Sequence, residues 1–235
     1  MPNLREMARV DLGYKPLQQI AYERLRDDIL RGRYRPGDRL RIAAIATSYG
    51  ISPVPVREAL RSLEAEGLID FAPNRGAVIP KLTAEELEEI FLMRIPLESL
   101  AIRRAIPNLT PADLQRLEQL NAGMKDHVAD AARWLELNQK FHLETYRRAD
   151  LPRLNQVVAN LWGLVRPYLG VYMARAQTLT KAHTEHDALL RACRARDVTK
   201  ATAILEEHLR DTARIVGAAL QPPAAVESRG ERAAK

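Results

Sequence analysis

Between Leu17 and Pro80 three helical patterns are followed by two short β-type runs around a turn, and beyond Pro80 strand signals stop. That order leaves few architectures open. The first pattern sets Ile20, Leu25, Ile29 and Leu30 opposite Arg24, Arg26, Asp27 and Asp28, and ends at Arg31-Gly32. Arg35-Pro36-Gly37-Asp38 is a turn, because proline presets φ and glycine accepts positive φ. A short helix from roughly Ile42 to Tyr49 stops at Gly50. Ser52-Pro53 reads as an N-cap followed by proline at the first helical position. The helix it opens carries Val56, Ala59, Leu60 and Leu63 and ends at Gly67. Leu68–Phe71 and Ala77–Ile79 flank Pro73-Asn74-Arg75-Gly76 as a hairpin. Three helices and a hairpin in this order predict a winged helix-turn-helix over 17–80.

From 81 to 220 the pattern is helical throughout. Thr83 with Glu86 forms a capping box for a helix to about Ile106, which Pro96 is expected to kink. Thr110-Pro111 caps the next, to about Asp126. Further helices are expected over 130–148, 152–178 and 181–195, and one from an Asp197 cap to about Leu220. The fold class is therefore mainly α, a winged helix followed by an all-α six-helix bundle. Residues 1–16 read as a flexible arm and 221–235, rich in Pro, Ala and charge, as a disordered tail.

The net charge of +6 favours an anionic partner such as nucleic acid. Arg31, Arg33, Arg35, Arg39 and Arg41 crowd together with only Asp38 to oppose them, which is either a cationic stripe or a solvated charged face. Cys193 is the sole cysteine, so no internal disulfide forms and a reducing compartment is expected. Its neighbours Leu189 and Leu190 put it in a helix interior rather than in a catalytic role. No signal peptide and no spanning helix are legible, so a soluble, cytoplasmic protein without a membrane partner is expected.

A recognition helix meets base edges with its N-terminal residues, here Ser52, Val54 and Arg57, with Arg61 one turn on. Arginine contacts guanine or phosphate in a bidentate manner; alternatively Arg57 pairs with Glu58 or Glu64 on the surface. Asn74, Arg75 and Gly76 form the wing tip, where an arginine can enter a minor groove. Arg-Tyr-Arg-Pro-Gly-Asp-Arg-Leu at 33–40, Ser-Pro-Val-Pro-Val-Arg-Glu-Ala-Leu at 52–60, Leu-Glu-Ala-Glu-Gly-Leu-Ile at 63–69 and Asn-Arg-Gly-Ala-Val at 74–78 resemble the N-terminal signature of GntR-family regulators. The resemblance implies a homodimer on a short palindromic double-stranded operator, with Arg57 touching DNA. One departure stands out. The family usually places arginine where this chain has Pro53, so a contact is absent or moved to Arg41 or Arg61.

In the helical half, Asn138 and His142 share a helix face. His186 heads a stripe with Leu189, Leu190 and Cys193, and His208 sits with Ile204, Leu205, Thr212 and Ile215. Each alone reads as a hydrogen-bonded core histidine; together, on facing helices, they can gather around a cation. Arg-Ile-Pro-Leu-Glu at 94–98, Asn-Gln-Lys-Phe-His at 138–142, Glu-His at 185–186 and Glu-His-Leu at 207–209 resemble the FCD ligand-binding domain of the FadR-type branch. That resemblance implies a divalent transition metal, zinc first and nickel or another ion as alternatives, at His142, His186 and His208. Asn138 stands where metal-binding members commonly have aspartate, which lowers the charge of the site. Open coordination positions would take a carboxylate, with Arg94 as its clamp unless Arg94 pairs with Glu98. Arg166, Tyr168 and Tyr172 are further pocket candidates, and His127 and His183 read as surface residues. The leading expectation is a repressor answering to a small organic acid or sugar acid. A metal-dependent hydrolase using three histidines, or an architectural DNA protein that senses nothing, are the rivals.

Overall fold

The computed structural model describes residues 16–172 and 176–220, apart from the side chains at 171, 172 and 176. The expected arm, Pro16 excepted, and the expected tail over 221–235 lie outside the described residues. The chain divides into two compact units between Lys81 and Leu82.

The first unit holds α1 (Leu17–Leu30), α2 (Ile42–Tyr49), α3 (Pro53–Ala65), β1 (Asp70–Ala72) and β2 (Gly76–Val78). α1 buries Ala21, Leu25 and Ile29, spaced by one helical turn, and packs on α3, which buries Val56, Ala59, Leu60 and Leu63. Each full burial of a Leu or Ile contributes about 1.5–3 kcal/mol, which fixes the face α3 leaves outward. The hairpin pairs Phe71 with Ala77. Its turn has Pro73 at the second position and Asn74 at φ 61° at the third, and the Arg75 N–H donates to the Ala72 carbonyl at 3.1 Å. That is a type II turn. The strands begin and end elsewhere than the expected 68–71 and 77–79. Leu68 and Ile69 are both buried, so this stretch enters the core as a pair before the sheet starts. The segment after α1 is more than a turn: Arg39 bridges Val78, and the Leu40 N–H donates to the Ala77 carbonyl at 2.8 Å.

The second unit holds α4 (Ala84–Ala105), α5 (Pro111–Asp126), α6 (Ala131–Tyr146), α7 (Pro152–Val165), α8 (Ala176–Arg194) and α9 (Val198–Leu220), with 3-10 turns at Ile106–Asn108, Arg147–Ala149 and Arg166–Tyr172. The mainly α class with a six-helix second unit is borne out. Among the described residues no helix is long and apolar enough to cross a membrane. α4 passes through Pro96 without interruption and packs along α9. The Thr83–Glu86 capping box is present, and the Asp197 carboxylate accepts from the Lys200 N–H at 2.9 Å. The long helix expected over 152–178 is absent: α7 stops at Val165, and α8 starts at Ala176 rather than 181. Pro167 supplies no N–H to the turn behind it, and Gly170 follows, so the chain tightens into a 3-10 turn.

Thr110 forms a second capping box, with Asp113. The Asp113 carboxylate also receives Arg147 and the Arg148 Nε, the latter at 2.8 Å, so it ties the start of α5 to the turn after α6. Burial alone would raise its pKa, but hydrogen bonds from Arg148 and Thr110 outweigh this and hold it well below the usual carboxylate range. Asp113→Ala is expected to destabilise the fold by on the order of 2 kcal/mol, combining a lost cap with a broken, partly buried ion pair. A depressed carboxyl pKa stabilises above the ordinary range and loses that share as pH falls. Urea unfolding of both proteins should therefore show the gap closing below pH ~4.

Candidate functional site

α3 presents its exposed residues away from the Val56–Leu63 core. Ser52 occupies the N-cap position, yet its hydroxyl makes no cap bond. The reason is local: a cap oxygen accepts from the second or third helical N–H, and the third residue here is Pro55. Ser52, Val54, Arg57 and Arg61 are all exposed. Glu58 faces Arg61 at 3.7 Å, and no carboxylate among the described residues pairs with Arg57. Arg41, at the N-cap of α2, and Asn74, Arg75 and Gly76 at the wing tip are exposed as well. The arginine stripe is partly neutralised, because Arg31 meets Asp27 at 2.8 Å and Arg33 meets Asp28 at 2.7 Å. The acids come from the last turns of α1, a proximity the stripe itself did not reveal. Among the described residues the side chains of Arg35, Arg39 and Arg41 make no ion pair, and Asp38 instead accepts from the Arg35 backbone N–H at 2.7 Å.

In the second unit α6, α8 and α9 bring His142, His186 and His208 together. Their ring centroids stand 5.1 Å apart in all three pairs, and their candidate ligand nitrogens lie within 4.8 Å of one another. His142 Nε2 and His186 Nε2 are 3.2 Å apart. Two nitrogens bound to one tetrahedral zinc would be about 3.4 Å apart, so this pair has the right spacing. Burial, then the nearby His208, holds the pKa of both His142 and His186 well below the usual imidazole range. Both are neutral and keep a lone pair for a cation. His208 Nδ1 lies 2.6 Å from Glu185 Oε2, the carboxylate support that orients many metal-binding imidazoles. His142 Nδ1 has only the Tyr146 hydroxyl at 3.5 Å, and His186 Nδ1 is buried without a partner. Asn138 is one turn from His142, and its buried Oδ1 has no partner either. The donor set fits a divalent ion with an amide oxygen as a fourth ligand.

Arg94 is fully buried, and both sequence readings of it meet in one side chain. Its Nε donates to Glu98 Oε1 at 2.6 Å, while its two terminal amino groups are buried without partners. The guanidinium lies over Trp162 at 4.1 Å and Phe91 at 4.9 Å. Both Glu98 oxygens are engaged, since the Tyr146 hydroxyl donates to the other one at 2.6 Å and the Trp162 indole N–H at 3.3 Å. Arg94, Asn138 and His208 line one small cavity with Trp134, Trp162, Leu169, Ala182, Leu209 and Thr212. It has about 10 Å³ for the centre of a water-sized sphere, roughly the room for one water.

Of the other pocket candidates, Arg166 and Tyr168 do not line this cavity. Arg166 is buried on the 3-10 turn, and the Tyr168 hydroxyl accepts from the Leu82 N–H at 2.7 Å. The Tyr172 side chain lies outside the described residues. His183 is half-buried rather than a free surface residue and accepts from the Trp134 indole N–H at 3.0 Å. Cys193 is buried and its thiol pushed up to about 12, as an inert core residue. Sequence reasoning missed Tyr146 and Trp162, and quoted Glu185 within a motif without giving it a role. Tyr146 was findable, because 138, 142 and 146 form one stripe at four-residue spacing. The tryptophans gave no such signal.

A winged helix with an outward reading helix, joined in one chain to a helical unit with a closed polar site, defines a DNA-binding transcription regulator. Residues 17–79 match "Bacterial regulatory proteins, gntR family" and residues 89–211 match "FCD domain". The chain belongs to the GntR family, in its branch with an FCD domain. It is 30% identical over 201 residues to the HTH-type transcriptional regulator McbR of Escherichia coli (strain K12), covering 84% of this chain and 89% of that one. It is 28% identical over 202 residues to the HTH-type transcriptional repressor GlaR of the same organism, covering 80% and 90%. The solved structure of E. coli McbR/YncC gives a TM-score of 0.79 at 27% identity, covering 88% of this chain and 100% of that one. These relatives are regulators, and this chain is not an enzyme.

Proposed function

We propose that the protein is a homodimeric cytoplasmic repressor that binds a short palindromic operator and responds to a small carboxylate held beside a divalent metal. The observation that carries this reading is the Arg94 guanidinium, which has two buried amino groups without partners at a cavity shared with His208 and Asn138. Arg94 is ion-paired with Glu98 only through Nε, and buried guanidinium N–H groups left without acceptors are costly unless a ligand completes them. Carboxylate is the planar two-oxygen partner that matches its fork. The remaining lining is mostly Trp, Leu and Ala, so the preferred effector is a monocarboxylate with an apolar body rather than a polyhydroxylated sugar acid.

His142, His186, His208 and Asn138 would hold the metal, zinc first by donor type and nickel or another ion by availability. When bound, it would supply a positive centre for one carboxylate oxygen while Arg94 orients the other. The cavity admits little more than a water, so a ligand must move its walls. Leu169 is one of those walls, and its neighbour Tyr168 grips the Leu82 N–H, at the residue where the second unit begins. Wall movement would thus reach the start of the second unit directly.

A panel of carboxylates should raise the melting temperature of the metal-loaded protein and release operator DNA in gel shifts, with apolar monocarboxylates strongest. Arg94→Lys keeps the charge beside Glu98 but loses the fork, and should abolish both responses while the protein still folds. No response to any carboxylate at millimolar concentration would overturn the reading. Sedimentation should show a dimer at micromolar concentration, as a two-fold operator requires; monomer alone, with and without DNA, would remove that part.

A further inference from the structure

Val54 is 63% exposed, more than any other large hydrophobic side chain described in the DNA-binding unit. It packs in no core, and as a β-branched residue on a helix it keeps essentially one rotamer. Its neighbours thin out the polar groups at the tip of α3: Pro53 and Pro55 have neither an N–H nor a polar side chain, and the Ser52 hydroxyl at the N-cap is the polar side chain left beside it. Of the first three helical residues, two cannot donate a hydrogen bond at all. Within the first turn itself, the side chain offered to the bases before Arg57 is a rigid apolar knob.

We propose that Val54 is a specificity-determining residue that reads a thymine C5-methyl group in the major groove. The thymine methyl is the apolar feature by which the major groove marks A·T pairs. Arg57 lies three residues on, on the same face, about 4.5 Å further along the helix axis. The methyl-bearing pair therefore falls within one or two base-pair steps of the pair that Arg57 contacts. This gives the chain a half-site preference that the arginine absent at position 53 would not supply. Thymine in the operator is recognised through van der Waals contact, with no hydrogen bond to lose.

The test starts from an operator selected from random duplex DNA with the full-length protein. Each thymine is then replaced singly by deoxyuridine, which deletes the methyl and keeps the base pairing. One thymine per half-site should show about four-fold weaker binding on replacement, and roughly fifteen-fold when both half-sites are changed, the range expected for one buried methyl each. Val54→Ala should bind the thymine and deoxyuridine operators equally, with an unchanged melting temperature, because the side chain is exposed and alanine favours helix. The proposal is overturned if no thymine shows methyl dependence, or if Val54→Ala retains the wild-type dependence. Neither outcome involves effector or metal, so it stands apart from the sensing reading.

Discussion

Arg57→Ala is expected to weaken operator binding by roughly thirty-fold or more while leaving thermal unfolding unchanged. One arginine contact to guanine or phosphate is worth about 1–3 kcal/mol, and a dimer loses it at both half-sites, which doubles the exponent. The fold should not notice the change. α3 is held by Val56, Ala59, Leu60 and Leu63, and Arg57 is exposed with no carboxylate partner among the described residues. Arg61→Ala should have a smaller effect, since Arg61 already faces Glu58 at 3.7 Å. Salt separates two versions of the contact. If Arg57 binds phosphate, the mutant's salt slope falls by about one per lost contact; if it reads guanine, specificity at that pair relaxes. Wild-type affinity in the mutant at fixed salt would mean that α3 is not the reading helix.

Features carried by short-range chemistry were legible in the sequence. The Thr83–Glu86 box, the Asp197 cap, the Pro73-Asn74 turn and the α3 core stripe depend on residues within a few positions of one another. The three histidines could be singled out for the same reason, each sitting in a recognisable helical stripe. What stayed hidden was mostly long-range. Glu98 takes its donors from Arg94, from Tyr146 on α6 and from Trp162 on α7, and only the first is a helical neighbour. The pairs of Asp27 with Arg31 and Asp28 with Arg33 are local contacts at the end of α1, and were overlooked because the arginine stripe was weighed only against Asp38. The break at Pro167 falls inside the helix expected over 152–178, where the proline was given no weight although it removes a helical N–H. The Ser52 cap failed through its own sequence, since Pro55 removes a donor that the capping rule assumes.

The second large effect concerns metal. Wild-type protein is expected to gain melting temperature with added zinc or nickel; His208→Ala should abolish the gain and Asn138→Asp should enlarge it. An ion at a hundred times its Kd stabilises the folded form by about 2.7 kcal/mol, which for a chain of this size is a rise of roughly 5–10 °C. Asn138 sets how much of that the metal achieves alone. Three imidazole ligands and an amide bring no negative charge of their own to a dication; Glu98 is already bound by Arg94, Tyr146 and Trp162, and Glu185 reaches the site only through His208 Nδ1. The missing negative charge can come from a carboxylate ligand, so metal and carboxylate should raise each other's affinity by the same factor. Asn138→Asp supplies the charge internally, and should tighten metal binding alone while shrinking the coupling. A two-by-two thermal-shift and calorimetry design, metal by carboxylate in both proteins, measures this directly. Metal analysis and thermal shift that both show nothing at neutral pH would leave the three imidazoles as core hydrogen-bonding residues. Equal coupling in both proteins would mean that Asn138 does not face the ion.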